Sequence, residues 1–243
     1  METYINITKV PELHTISTSG SAFTIGGAVT LTNFIAALEA QSSLQGYSYC
    51  AQMARHLKKV ASTNVRNVAS VAGNLMIKHA HQGFPSDVFV LLEAINADLG
   101  IMDTTGAITF MSPVEFLQVD MTKKILFFIT LPNLTDSFKF MSYKITPRSQ
   151  NAHAYVNGAC LIQVDSSFNV LEQPRLVFSG IVTGFNHASE TEAYLVGKNL
   201  ADEATLQGAM ATLDAEVIPK EDALQASPEY RKHLVKALFY KVT

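Results

Sequence analysis

The segment VRNVASVAGNLM, from Val65 to Met76, constrains the fold more than any other stretch of this sequence. Seven apolar residues share it with Arg66, two asparagines, Ser70 and Gly73. A buried strand rarely carries so many polar side chains, and a surface loop rarely carries so many valines and alanines. One side of the segment is therefore expected to pack into the protein, while the other presents polar groups.

Ser70 and Asn74 flank Val71-Ala72-Gly73 at the centre of this segment. Glycine lets a backbone turn with positive φ or approach another group closely. A serine hydroxyl and an asparagine amide can hold phosphate or carbonyl oxygens without a charged side chain. An ordinary structural bulge or turn explains the same residues, so physical chemistry alone leaves both interpretations open.

Composition places the chain among globular proteins. Its 243 residues are 48% hydrophobic and 16% charged, with a formal net charge of −3, which excludes a disordered chain and gives no reason to expect nucleic acid. The longest apolar runs, such as residues 125–129, are too short to span a membrane, and the first residues do not resemble a secretory signal. Cys50 and Cys160 make no disulfide framework, and they predict reduced thiols in a cytoplasmic protein.

Hydrophobic periodicity and turn chemistry predict an α+β protein with two parts. In the first part we predict a strand at 22–29, helices at 30–40, 46–60 and 85–95, a hairpin at 97–111, a capping box at Ser112–Glu115 and a strand at 123–131. In the second we predict strands at 138–145, 152–164 and 175–181, then helices from a capping box at Ser189–Glu192, near 201–214 and from Ser227 to Tyr240. Residues 133–137 form the predicted linker, and 140–243 have a length at which a domain can fold alone.

Other polar residues give weaker signals. His79 and His81 would share one face of a strand and could bind a metal, but no further ligand follows before Asp87. Ser86 and Asp87 are typical of a helix start. Cys160 lies in an apolar strand without an adjacent base, so we do not expect a nucleophile there.

Lys144 and Arg148 follow a predicted strand and flank Pro147. Two bases at such a position could contact an anionic ligand. They could equally be a solvated pair, and the sequence pattern alone does not separate the two interpretations.

VRNVASVAGN resembles the flavin-domain motif R-N-x-A-S-x-G-G-N of the xanthine dehydrogenase and aldehyde oxidase family. Further similar segments are FTIGGAVTLT, GNLMIKHAHQGFPSDVF, YKITPRSQNAHAYVNGA, FNHASETEAYLVGKN and ASPEYRKHLVKALFYK, the last four being similar to insect-type aldehyde oxidases. The resemblance implies an FAD-binding domain of the vanillyl-alcohol-oxidase-like (PCMH) fold over residues 1–134. Over residues 140–243 it implies a domain like the C-terminal domain of carbon monoxide dehydrogenase flavoproteins, with a three-stranded antiparallel sheet and three helices.

The resemblance also implies FAD as the cofactor and indicates which residues contact it. These residues are Ser70, Val71, Ala72, Gly73, Asn74, Met76, Ile77, Asp87, Leu126 and Lys144. Ile77 replaces a common threonine, Ala72 replaces the first glycine of the G-G pair, and Asp87 follows a longer intervening segment than the aspartate of the family. The apolar residues of the segment would pack inward while Ser70, Gly73 and Asn74 face FAD.

In the family, electrons pass from a molybdenum cofactor through two [2Fe–2S] clusters to FAD, and then to O₂ or NAD⁺. Two such clusters need about eight thiolates, so the iron–sulfur and molybdenum domains would be partners within a parent enzyme, itself a homodimer. Tyr4–Val10 would correspond to the strand after a missing N-terminal lobe whose glycine-rich loop wraps the FAD pyrophosphate. Two hypotheses follow: an electron-transferring FAD segment, or a truncated product that keeps the fold without independent flavin binding.

Overall fold

The computed structural model describes residues 5–20, 22–149, 151–221 and 226–241 of the chain. Its strands are β1 Ile16–Ser19, β2 Ala22–Gly26, β3 Asp98–Met102, β4 Ile108–Met111, β5 Ile125–Pro132, β6 Phe138–Ile145, β7 Val156–Gln163 and β8 Arg175–Ser179. Its α-helices are α1 Leu31–Gln41, α2 Tyr49–Leu57, α3 Thr63–Arg66, α4 Val71–Ala80, α5 Asp87–Ala94, α6 Pro113–Phe116, α7 Ser189–Leu195, α8 Glu203–Glu216 and α9 Pro228–Tyr240.

A five-stranded antiparallel sheet, ordered β1-β2-β5-β3-β4, supports the first half of the molecule. Strand β5 places the buried Ile129 opposite Ile25 of β2 and Leu99 of β3. Apolar residues of α1, α2, α4 and α5 join these side chains in one core. All eight residues of α5 are buried, so this helix lies at the centre of the fold.

A second, three-stranded antiparallel sheet, ordered β6-β7-β8, is buried on both faces. Successive side chains of a strand point to opposite faces, and Ala159 and Leu161 of β7 accordingly join the core of the first half. Cys160 and Ile162 join a separate core with α8 and α9. The three-stranded sheet and three helices predicted for the second half are therefore confirmed, but one face of the sheet is covered by the first half.

Most of the predicted elements are confirmed. The apolar stripe of α1 is buried, the hairpin β3–β4 is antiparallel, and Ser112 with Glu115 forms the predicted capping box. The strands and the last two helices of the second half lie close to their predicted bounds. These elements were accessible to prediction because periodicity and caps are local signals.

Four expectations about local structure are wrong. The bulge or turn considered at Val71-Ala72-Gly73 is the first turn of α4, and His79 lies in that helix and not in a strand. The helix predicted to start with a capping box at Ser189 has Ala188 as its N-cap and no side-chain cap, because Glu192 bonds elsewhere. Residues 5–10 contain no strand, and Tyr4 lies outside the described residues.

Candidate functional site

Helix α4 is fixed at its N-terminus by its own N-cap residue and by the segment 27–29. The Ser70 Oγ accepts the backbone N–H of Gly73 at 3.0 Å, so serine acts as the N-cap. The N–H groups of Val71 and Ala72 donate to the carbonyls of Val29 and Gly27, each at 3.0 Å. All three N–H groups of the first turn thus have partners within the protein.

Gly27 allows this close approach. A Cβ atom there would lie 2.2 Å from the Leu126 carbonyl oxygen and 3.2 Å from the Ala72 Cβ. No L-residue side chain fits between these groups, so glycine is required for α4 to pack against β5. The N-terminal part of α4, within the segment Val65–Met76, is therefore held in place by backbone contacts.

The two sides of α4 differ as the mixed composition of the segment predicts. Val71, Leu75 and Lys78 are buried and lie on one helix face, at spacings of four and three residues. Gly73 and Ile77 are exposed and Asn74 is half-buried on the other side. Valine and leucine pack inward, and the outer face carries glycine, asparagine and isoleucine.

The outer face of α4 forms one wall of a cavity of about 970 Å³. The chain that follows β6 forms the opposite wall of the cavity. The cavity is lined by Leu31, Val60, Ala61, Val65, Ala69, Ser70, Gly73, Asn74, Ile77, Phe84, Lys144, Pro147, Arg148, Asn151, Ala152, His153 and Tyr155. This volume lies at the upper end of the usual range for cofactor sites, about 300 to 1,000 Å³.

The predicted contact residues divide into two groups. Ser70, Gly73, Asn74, Ile77 and Lys144 line the cavity. Val71, Ala72, Met76, Asp87 and Leu126 do not, and of these Val71, Leu126 and Asp87 are buried. The cavity thus brings together residues far apart in sequence, whereas the second group lies outside its lining.

Asp87 lies at the centre of a buried polar network. Its Oδ2 accepts from Lys144 Nζ at 2.7 Å, and its Oδ1 accepts from Asn157 Nδ2 at 3.0 Å. The His56 Nε2 lies 2.9 Å from Oδ1. Burial alone would raise the pKa of Asp87, but the hydrogen bonds and charges of His56 and Lys144 outweigh it and lower the pKa to about 2. Asp87 therefore stays ionised and holds Lys144 at the edge of the cavity.

Asn74 connects the cavity wall to the N-terminus of α5, next to Asp87. Its Oδ1 accepts the Ser86 hydroxyl at 2.6 Å, and the Ser86 Oγ accepts the N–H of Phe89 at 3.0 Å as the N-cap of α5. Because the oxygen of Asn74 is engaged, its Nδ2 remains as a donor to the cavity. The prediction that Ser86 starts a helix is confirmed.

Sequence reasoning missed His56 and Asn157. His56 lies on the buried side of α2 with Met53 and Leu57, and no sequence pattern pairs it with Asp87. Asn157 lies in β7, 70 residues after Asp87. Only the tertiary fold brings these side chains together.

Arg148 lines the cavity and donates to the Asn151 carbonyl, so it is not simply solvated.

The weaker candidates have contacts of other kinds in the described residues. Among the residues that the structure describes, no three His, Cys, Asp or Glu side chains lie where they could hold a metal ion. His79 contacts the Val119 carbonyl at 2.7 Å. Burial raises the pKa of the Cys50 thiol to about 12, and burial with the charge of Glu192 raises that of Cys160 further, which disfavours a thiolate nucleophile at either position. In the described ranges, no helix is long and apolar enough to cross a membrane.

The sequence matches two protein families that meet near the start of β6. Residues 1–134 match the family described as the FAD binding domain in molybdopterin dehydrogenase. Residues 141–243 match the CO dehydrogenase flavoprotein C-terminal domain. Together these matches cover most of the chain.

Similar curated proteins are aldehyde oxidases and a xanthine dehydrogenase. Abscisic-aldehyde oxidase of Arabidopsis thaliana is 32% identical over 255 residues, covering 98% of this chain and 18% of that protein. Xanthine dehydrogenase of Oryza sativa subsp. japonica is 29% identical over 249 residues, covering 98% of this chain and 18% of that protein. The chain thus spans about a fifth of the length of these relatives.

Solved structures share the fold at lower identity. A carbon monoxide dehydrogenase from Hydrogenophaga pseudoflava that lacks the Mo-pyranopterin moiety matches with a TM-score of 0.81 and 21% identity, over 97% of this chain and 78% of that one. Quinoline 2-oxidoreductase from Pseudomonas putida 86 matches with a TM-score of 0.75 and 22% identity, over 97% and 78%. From its sequence matches, the chain belongs to the family of FAD-binding domains of molybdopterin dehydrogenases, which includes aldehyde oxidases and xanthine dehydrogenases.

Proposed function

We propose that the cavity on the outer face of α4 holds FAD, and that the chain serves as the flavin segment of an aldehyde oxidase or xanthine dehydrogenase-type enzyme. In that role it would accept electrons from the iron–sulfur domain of the parent enzyme and deliver them to O₂ or NAD⁺. Bound flavin supplies the redox chemistry, and the protein supplies position and electrostatics.

The observation that carries this proposal is the chemistry of the cavity lining. Lys144 and Arg148 contribute two cations, and no aspartate or glutamate lies among the described lining residues. The Ser70 hydroxyl and the Asn74 Nδ2 add neutral donors. Leu31, Val60 and Ile77 offer an apolar surface. A dinucleotide with anionic phosphates and flat rings needs this combination of donors, cations and apolar surface.

Residues in and beside the cavity have different tasks in this proposal. Ser70 and Asn74 donate hydrogen bonds from positions that the fold has fixed, which reduces the entropic cost of binding. Lys144 brings a positive charge to the cavity while its bond to Asp87 fixes its direction. Asp87 is then a positioning residue that acts through Lys144 without touching the cofactor. Leu31 and Val60 exclude water from the apolar part of the cavity.

A pair of variants tests the site. Ile77→Glu places a carboxylate in the cavity, whereas Val68→Glu places one on exposed surface outside the lining. Both side chains are exposed, Ile77 at 49% and Val68 at 80%, so both variants should keep nearly the parent stability. Titration followed by flavin fluorescence should show FAD affinity reduced by about tenfold or more for Ile77→Glu, equivalent to at least 1.4 kcal/mol.

The Val68→Glu control should bind FAD as tightly as the parent protein. Equal affinities of the two variants would place the flavin elsewhere. A parent protein that melts cooperatively but binds no FAD would instead support a chain that keeps the fold without independent flavin binding.

A further inference from the structure

A second, smaller cavity lies on the opposite side of α4, between the two halves of the molecule. It encloses about 210 Å³. The first half contributes Lys78 from α4 and the turn at Gln82-Gly83. The second half contributes the chain after β8, the residues before α9 and Arg231 of α9. None of its lining residues lines the larger cavity.

Lys78 projects from the buried face of α4 into this cavity. The residue is only 5% exposed. Its Nζ donates to the Gln82 carbonyl and lies 5.3 Å from the centre of the Phe89 ring. A backbone carbonyl and an aromatic face stabilise an ammonium group weakly compared with a carboxylate. Burial lowers the pKa of Lys78 to about 8, so near pH 7 the group is still mainly protonated.

Arg231 supplies a second buried cation and builds the opposite wall. It is 3% exposed and donates to the carbonyls of Gly180, Ile181, Ala226 and Lys220. Four of its five N–H groups are used in this way, and all four partners are neutral. Arg231 therefore fixes the shape of the wall, and its charge is not balanced by these contacts.

Gly180 completes the wall through its backbone. Its φ is +90°, and a Cβ atom there would lie 2.1 Å from the Tyr155 carbonyl oxygen. Only glycine suits this conformation and this approach. The chain from Ser179 to Thr183 is thus held in a defined path, with the hydroxyl-bearing Ser179 and Thr183 both lining the cavity.

Among its described lining residues, the cavity has an excess of positive charge. Lys78, Lys220 and Arg231 line it together with one acid, Glu221. Within the described part of the chain, no carboxylate lies within ion-pair distance of any of the three cations. Burying a charge is costly unless an opposite charge or strong hydrogen bonds compensate it. An anion in the cavity would provide that compensation.

We propose that this cavity is a binding site for a small oxyanion of the phosphate class, held between Lys78 and Arg231. Two ammonium protons of Lys78, one remaining N–H of Arg231 and the hydroxyls of Ser179 and Thr183 are the donors on hand. About 210 Å³ lies below the roughly 300 Å³ at which cavities for larger organic ligands begin, so the volume suits a free ion better than a nucleotide. Because the ion would contact both halves of the molecule, it would stabilise their association.

The test measures the thermal stability of the full chain in inorganic phosphate and in chloride at equal ionic strength. Ligand binding to the folded state raises the folded-to-unfolded ratio by the factor 1 + [L]/Kd, about tenfold at ten times Kd. We expect a saturable rise in melting temperature with phosphate for the parent protein. Lys78→Met keeps the side-chain length and should abolish the saturable part of the rise.

Two further variants make the test specific. Lys139 also donates to a backbone carbonyl, that of Asp136, but on the exposed surface, so Lys139→Met should keep the full response. Thr183→Val removes a lining hydroxyl from an exposed position and should weaken the response with little loss of stability. A saturable response that persists in Lys78→Met, or its absence from the parent protein, would overturn the proposal.

Discussion

Helix α5 carries a buried acidic residue near each end, and the two ends differ in what surrounds them. At the N-terminal end, Asp87 bonds Lys144 and Asn157 of the second sheet. At the C-terminal end, Glu93 bonds Arg175 and lies 2.9 Å from the Nε2 of His187. Both clusters join the halves of the molecule across a shared core.

Of the two clusters, the first reaches the large cavity, because Lys144 bonds Asp87 and also lines the cavity. The second contains two acids, Glu93 and Glu192, which share His187 between them at 2.9 and 2.7 Å. Arg175 alone cannot balance both carboxylates, so His187 must be protonated. The Asp87 cluster therefore positions a cavity residue, whereas the Glu93 cluster holds the two halves together.

The largest expected effect is that of Glu93→Gln. Removing one partner of a buried ion pair typically costs about 3 to 5 kcal/mol, because the remaining charges stay buried without compensation. Urea unfolding should report a loss of this size, while FAD affinity per folded molecule stays at the parent value. Asp214, which pairs with Lys232 and Lys236 on the surface, provides the control: Asp214→Asn should cost less than about 1 kcal/mol.

Asp87→Asn changes the buried acid at the other end of α5. It should destabilise the protein and also weaken FAD binding, because Lys144 loses the group that fixes its direction. If Glu93→Gln weakened FAD binding as much as Asp87→Asn, the proposed division of roles between the two ends would be wrong.

The two clusters should lose their stabilising effect at opposite ends of the pH scale. Burial alone would lower the pKa of His187, but its hydrogen bonds to Glu192 and Glu93 raise it from 6.5 to about 9. The protonated His187 therefore contributes its full share to the free energy of unfolding below pH 6.5. This share, about 3 kcal/mol, is lost as pH rises through 9. The lowered pKa of Asp87 adds to the free energy of unfolding above pH 3.8. This addition, about 2 kcal/mol, is lost as pH drops through 2.

Urea unfolding between pH 6 and 10 would measure the alkaline loss. A His187→Gln variant should start less stable and show a flatter profile over this range. A parent profile as flat as that of the variant would mean that His187 is not held protonated by the two glutamates.

The smallest expected effect compares two helix caps. Ser70 and Ser227 both act as N-caps, with Oγ to N–H distances of 3.0 and 3.2 Å, but only Ser70 lines the large cavity. Each change to alanine should cost about 1 kcal/mol of stability. Flavin titration should show weaker FAD binding for Ser70→Ala alone. Equal FAD affinities of the two variants would reduce Ser70 to a structural cap.

Features that depend on residues close together in the sequence could be predicted. The apolar stripe of α1 and the caps at Ser86 and Ser112 follow from spacing and side-chain chemistry within one or two turns. The capping box at Ser189 failed because Glu192 instead accepts the N–H of Leu176 and contacts His187. A tertiary contact there replaced the local one.

Features that depend on distant residues could not be predicted. The resemblance implies that Asp87 and Leu126 contact the cofactor, but no local pattern shows that both are buried outside the lining of the large cavity. Nothing local indicates that Ala159 and Leu161 join the core of the first half. Independent folding of residues 140–243 stays a prediction, and this shared core counts against it because an isolated second half would expose those apolar side chains.

The most direct measurement is a crystal structure of the protein with bound FAD. We expect the nucleotide in the large cavity, within hydrogen-bond distance of Ser70, Asn74 or Lys144, with Asp87 still bonded to Lys144 and not to FAD. FAD bound outside this cavity, or a carboxylate of Asp87 turned from Lys144 onto the cofactor, would contradict it.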